Sequence, residues 1–93
     1  MHVALLQMRL LLPSRTLKEK RAIVKSVLAR ARNRFNVACS ESALNDQPAD
    51  AEICFVTVAP SATRARQLLQ ELEYWLVSER PDLQIVDLLV EEL

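Results

Sequence analysis

Lys18, Arg21, Lys25 and Arg32 are the residues of this sequence whose type and spacing could do chemistry. At the 3.6-residue helical period they fall within about one sixth of a turn, so a helix across them presents one row of cations. Such a row binds phosphate, arginine through its planar fork of donors and lysine as a point charge. Lys20, Arg30 and Arg34 are placed on the other flank of that helix, and Arg64 and Arg66 begin a second basic stretch. These nine residues form the candidate set for nucleic-acid or anion binding.

Other chemistries lack their parts. The only histidine is His2, and Cys39 and Cys54 have no CxxC partners, so a protein-built metal site is short of ligands. Glu41, Glu52 and Asp87 stand alone on strand-like runs, and no nucleophile has an adjacent base with an orienting group. The loop Ser14-Arg15-Thr16 resembles in position the phosphate loop of small acyl-phosphate hydrolases but lacks their glycine. Glycine is absent from the whole chain, which excludes the glycine-rich loops that cradle nucleotide phosphates. The expectation is therefore a protein that is not an enzyme and uses no cofactor and no metal. Base stacking on a sheet is also poorly supplied, because Phe35, Tyr74 and Trp75 lie on helix-like runs and only Phe55 on a strand.

The elements that must position the cations are legible in the hydrophobic pattern. Residues 2–12 alternate as a central strand whose second face is only partly wet. Thr16-Leu17-Lys18-Glu19 reads as a capping box with Glu19 reaching back to the Thr16 amide, and opens a helix running to about Arg34. Its buried stripe is Leu17, Val24, Val27, Leu28, Ala31 and Phe35. Residues 36–43 and 51–59 are strands joined by the polar Asn45-Asp46-Gln47-Pro48 hairpin. Ser61 caps a second helix with the stripe Ala65, Leu68, Leu69, Leu72, Trp75 and Leu76, which Pro81 stops. Residues 83–90 make a last strand. The order βαββαβ predicts an α+β fold, a ferredoxin-like sandwich with an antiparallel four-stranded sheet in the order 4-1-3-2 and both helices on one face.

With 93 residues there is room for a single domain, 1–93. Apolar residues make up 51% and charged residues 26%, which argues against disorder and fibrous repeats. The net charge of zero hides a division: residues 1–36 carry nine cations and one acid, and residues 37–93 carry three cations and eleven acids. Antiparallel helices would bring Glu71, Glu73 and Glu79 to Lys18, Lys20 and Arg21, and would gather Arg30, Arg32 and Arg34 with Arg64 and Arg66, near Glu91 and Glu92. Glu41 is expected to hold a cation of the first helix. The cysteines read as buried free thiols, and with neither a secretory pattern nor a membrane-length apolar run, the expected location is the cytoplasm. A basic helix can also be merely a solvated face, but here like charges accumulate without the opposite signs that usually alternate along such a face.

Leu12-Pro13, the run Thr16-Leu17-Lys18-Glu19-Lys20-Arg21, Arg32-Asn33-Arg34-Phe35-Asn36-Val37 with Glu41, and Ile85-Val86-Asp87 together resemble the YlxP-like family of small bacterial proteins. The resemblance implies a ferredoxin-like fold. Family members are commonly encoded beside translation-initiation and ribosome-maturation genes, which implies association with RNA or the ribosome. Where the family has a small residue or glycine and a tryptophan in the hairpin region, this sequence has Ala43 and Pro48. The leading expectation is a non-enzymatic accessory protein whose basic first helix binds RNA or a ribonucleoprotein surface. The alternative is a protein-interaction or oligomerisation module, a possible homo-oligomer in which that helix meets an acidic surface. A small-ligand regulatory domain is a third.

Overall fold

The computed structural model describes residues 1–93. Six elements follow one another: β1 (His2–Leu11), α1 (Leu17–Arg34), β2 (Ala38–Ala43), β3 (Asp50–Ala59), α2 (Ala62–Glu79) and β4 (Gln84–Glu92). The strands form one antiparallel sheet in the order β2-β3-β1-β4, the expected 4-1-3-2 order seen from the opposite edge. Alternate residues of the two central strands, Leu6, Met8 and Leu10 on β1 and Ile53 and Phe55 on β3, are buried in one core with Val24, Val27 and Ala31 of α1 and Leu69, Leu72 and Leu76 of α2. Each such large side chain contributes roughly 1.5–3 kcal/mol by leaving water. The architecture is the ferredoxin-like sandwich.

Both helices start where the sequence places their caps. Thr16 Oγ1 accepts from the Glu19 amide at 3.1 Å, and Ser61 Oγ accepts from the Arg64 amide at 3.1 Å. The reciprocal bond differs from expectation: the Glu19 carboxylate accepts from the Arg15 amide, at 3.4 Å, instead of that of Thr16. β2 begins two residues later than the pattern suggests, because the Asn36 carbonyl accepts the buried Thr57 hydroxyl at 2.8 Å and Val37 N–H bonds to Phe35. β4 runs on to Glu92, and the Leu93 amide bonds to the Val3 carbonyl at 2.8 Å.

The helices are staggered. Arg30 reaches Glu79 at 2.7 Å and the rings of Phe35 and Trp75 meet edge to face at 5.6 Å, so the last turns of α1 lie against the last turns of α2. The register of the second strand contributes to this. Ala38 pairs with Val56, so α1 must end partway along β3, whereas α2 starts beyond the end of that strand, where Ala59 pairs with His2. The molecule is elongated accordingly, 41 × 22 × 20 Å.

Candidate nucleic-acid interface

α1 carries the candidate cations, and the stagger decides which of them have partners. Arg30 is bonded to Glu79 and lies 5.9 Å over the Trp75 ring. Arg34 lies 5.7 Å over the Phe35 ring. The expected cluster of Arg30, Arg32 and Arg34 with Arg64 and Arg66 does not form. Arg66 is thirteen residues before Glu79, about 20 Å along α2, and pairs instead with Glu92; Arg64 is exposed in the first turn. The expected neutralisation at the other end is also absent: Glu71, Glu73 and Glu79 form no ion pair with Lys18, Lys20 or Arg21.

Lys20 departs furthest from expectation. Its side chain is 0% exposed, and its ammonium lies 2.9 Å from Glu41 Oε2 while donating a hydrogen bond to the Leu44 carbonyl. The contact with Glu41 is one of charge, without hydrogen-bond geometry. Leu44 has φ 65°, the left-handed region, in a chain with no glycine to occupy it. Ser14 Oγ donates to the Pro48 carbonyl at 2.6 Å and the Leu12 amide to Ala49 at 2.8 Å, so the approach to α1 and the hairpin are tied together three times. Lys20 is thus a strut between α1 and the hairpin and cannot touch a ligand. The sequence carried the signal: Lys20 precedes Val24 by four, Val27 by seven and Ala31 by eleven positions, the spacing of the buried stripe.

Lys18, Arg21, Lys25 and Arg32 remain on the flank of α1 that overlooks β2, all exposed and none in an ion pair. The row spans fifteen residues, about 21 Å of helix. Arg32 also donates to the Cys39 carbonyl at 2.9 Å, which fixes the end of the row while leaving further guanidinium donors free. Cys39 and Cys54 are free and half-buried, more open than expected. Burial pushes the Cys39 thiol above its ordinary value and Arg32 draws it partly back, so at neutral pH it is a protonated donor, 3.6 Å from the Leu28 carbonyl. No three histidine, cysteine or acidic side chains are grouped to hold a metal ion.

Residues 3–90 match the family described as a protein of unknown function, DUF503. The chain belongs to the DUF503 family. No curated protein matches it. The span that makes this a DUF503 chain runs from early in β1 to late in β4, and so contains the whole cation row, the Lys20 strut and the hairpin. No helix of this DUF503 protein is long and apolar enough to cross a membrane.

Proposed function

We propose that the protein is a non-enzymatic accessory protein of the cytoplasm that binds RNA or a ribonucleoprotein surface through α1, in keeping with its resemblance to the YlxP-like family. One observation carries the reading: Lys18, Arg21, Lys25 and Arg32 form an exposed row with no acid paired to any of them. An uncompensated row on a neutral protein draws a polyanion by releasing the counterions condensed on it. Arg30 and Arg34 add charge at the far end of α1, whereas Lys20, Arg64 and Arg66 stand outside the row.

RNA affinity measured against salt tests this. Four phosphate contacts give a slope near −3 in log affinity against log salt for a single strand. Lys18→Ala with Arg21→Ala should weaken binding across sequences and flatten the slope by about 1.4. A flat salt dependence, or affinity unchanged in that double variant, overturns the reading.

A second reading has support in β4. This edge strand leaves Val86, Leu88, Leu89 and Val90 exposed beside Asp87 and Glu91. The acids of this edge suit contact with the basic α1 of another copy, the arrangement of an oligomerisation module. Sedimentation at low and high salt checks it: association that disappears with salt favours this reading over RNA.

A further inference from the structure

The cation row does not stand on a flat surface. Between α1 and β2 runs an open groove of about 450 Å³, with Arg21 and Lys25 on the helix side and Ser40 and Asn45 on the other. Val24 and Leu28, from the buried stripe of α1, supply its apolar lining. β2 is an edge strand, so the groove is bounded by a free sheet edge. The bond from Arg32 shows that the Cys39 carbonyl points outward from the sheet. By the alternation of an antiparallel pair, the Glu41 amide points outward as well.

Taken together, these groups match the parts of one unpaired nucleotide. The guanidinium and ammonium groups suit phosphate, the apolar lining suits the face of a base, and the Asn45 carboxamide and the Glu41 strand amide suit its hydrogen-bonding edge. The Ser40 hydroxyl alternates to the other face of the sheet. Glu41 also borders the groove, but Lys20 neutralises it, so the strand side does not repel phosphate. We infer that the groove between α1 and β2 takes single-stranded RNA, holding phosphates on Arg21, Lys25 and Arg32 and an unstacked base against Asn45 and the Glu41 amide. The inference rests on the RNA reading above and narrows it to one form of RNA. A duplex keeps its bases stacked and paired inside, where Asn45 could not meet their edges.

An acidic peptide added as a fifth strand is the competing occupant, and the edge is poorly built for it. Arg32 already occupies the Cys39 carbonyl, β2 has only six residues, and its register with β3 shifts between Glu41 and Ala43. Such irregular, short edges discourage strand addition.

Fluorescence anisotropy on the full chain tests the inference, with a short labelled RNA presented alone or annealed to its complement. The single strand should bind about tenfold more tightly than the duplex. Asn45→Ala, at an exposed position, should weaken single-strand binding about threefold to tenfold with the salt slope unchanged, whereas Ser40→Ala, on the other face of the sheet, should leave it unaltered. Arg21→Ala with Lys25→Ala should flatten that slope by about 1.4. Equal or tighter duplex binding with a steep salt slope overturns the groove and leaves the wider RNA reading standing. Unchanged affinity in Asn45→Ala does the same. Displacement of the RNA by a glutamate-rich peptide that binds more tightly overturns it in favour of strand addition. Absence of binding to either RNA overturns both readings together.

Discussion

The two sides of α1 carry the same kinds of charge in different circumstances. Away from β2's flank, Lys20 is enclosed against Glu41 and the Leu44 carbonyl, and Arg30, though exposed, is paired with Glu79 over the Trp75 ring. On the side above β2, Lys18, Arg21 and Lys25 have no partner in the molecule. The enclosed ammonium belongs to stability, and the unpaired row is the surface proposed for recognition. Counting charges along the helix cannot separate the two classes, because residues two positions apart, Lys18 and Lys20, fall into different ones.

That division breaks if substitutions on the two sides have similar effects. The largest difference is expected at Glu41. Glu41→Ala leaves a fully enclosed ammonium without its counter-charge, at a cost of about 3–5 kcal/mol, whereas Lys25→Ala should change stability by less than about 0.5 kcal/mol. Urea unfolding of the two variants measures this, and Lys20→Met combined with Glu41→Gln should recover most of the loss. Next comes Trp75, the half-buried ring that Phe35 and Arg30 both contact; Trp75→Ala should cost about 2 kcal/mol without altering RNA affinity.

A smaller effect sharpens the contrast among exposed residues. Arg30 and Glu79 keep side-chain exposures of 48% and 41%, so Arg30→Ala should cost no more than about 0.5 kcal/mol, and less in high salt. The smallest concerns Arg80 and Asp82, a bidentate pair at 2.9 and 2.8 Å beyond α2. The Arg80 guanidinium holds the Asp82 carboxyl below its ordinary value. The contribution is therefore complete above the unfolded carboxyl's value near 3.9 and disappears as pH falls through the lower folded value. Asp82→Asn should lower the melting temperature slightly at neutral pH, change nothing below the folded carboxyl's value, and so flatten the acid-side loss of stability.

The element order, both caps, the core stripes and the cation row were all legible, because each depends on local periodicity and turn chemistry. The interaction of Glu41 with a helix cation was legible too, but its partner, Lys20, was assigned to a solvent flank by its charge, although its spacing placed it among Val24, Val27 and Ala31. The stagger was hidden for a different reason. It follows in part from Ala38 pairing with Val56, a register that no local pattern specifies, and it moves Arg30 from the expected company of Arg64 and Arg66 to that of Glu79. The groove was likewise hidden, since it arises where a helix flank meets a strand edge and its sides are supplied by separate segments.

The ties between α1 and the hairpin bear on the order in which the molecule assembles. Lys20 finds Glu41 and the Leu44 carbonyl only after the chain has closed a loop of more than twenty residues, and Ser14 meets Pro48 across thirty-four. Until then the first turns of α1 carry an unneutralised ammonium in the apolar stripe, so the helix start is stabilised only when the hairpin docks. The beginning of α1 and the hairpin therefore constitute one cooperative unit, opening and closing together, although the far half of α1 is anchored to α2. A local disturbance in the hairpin travels in this way to the unpaired cations Lys18 and Arg21, which flank Lys20 in the chain.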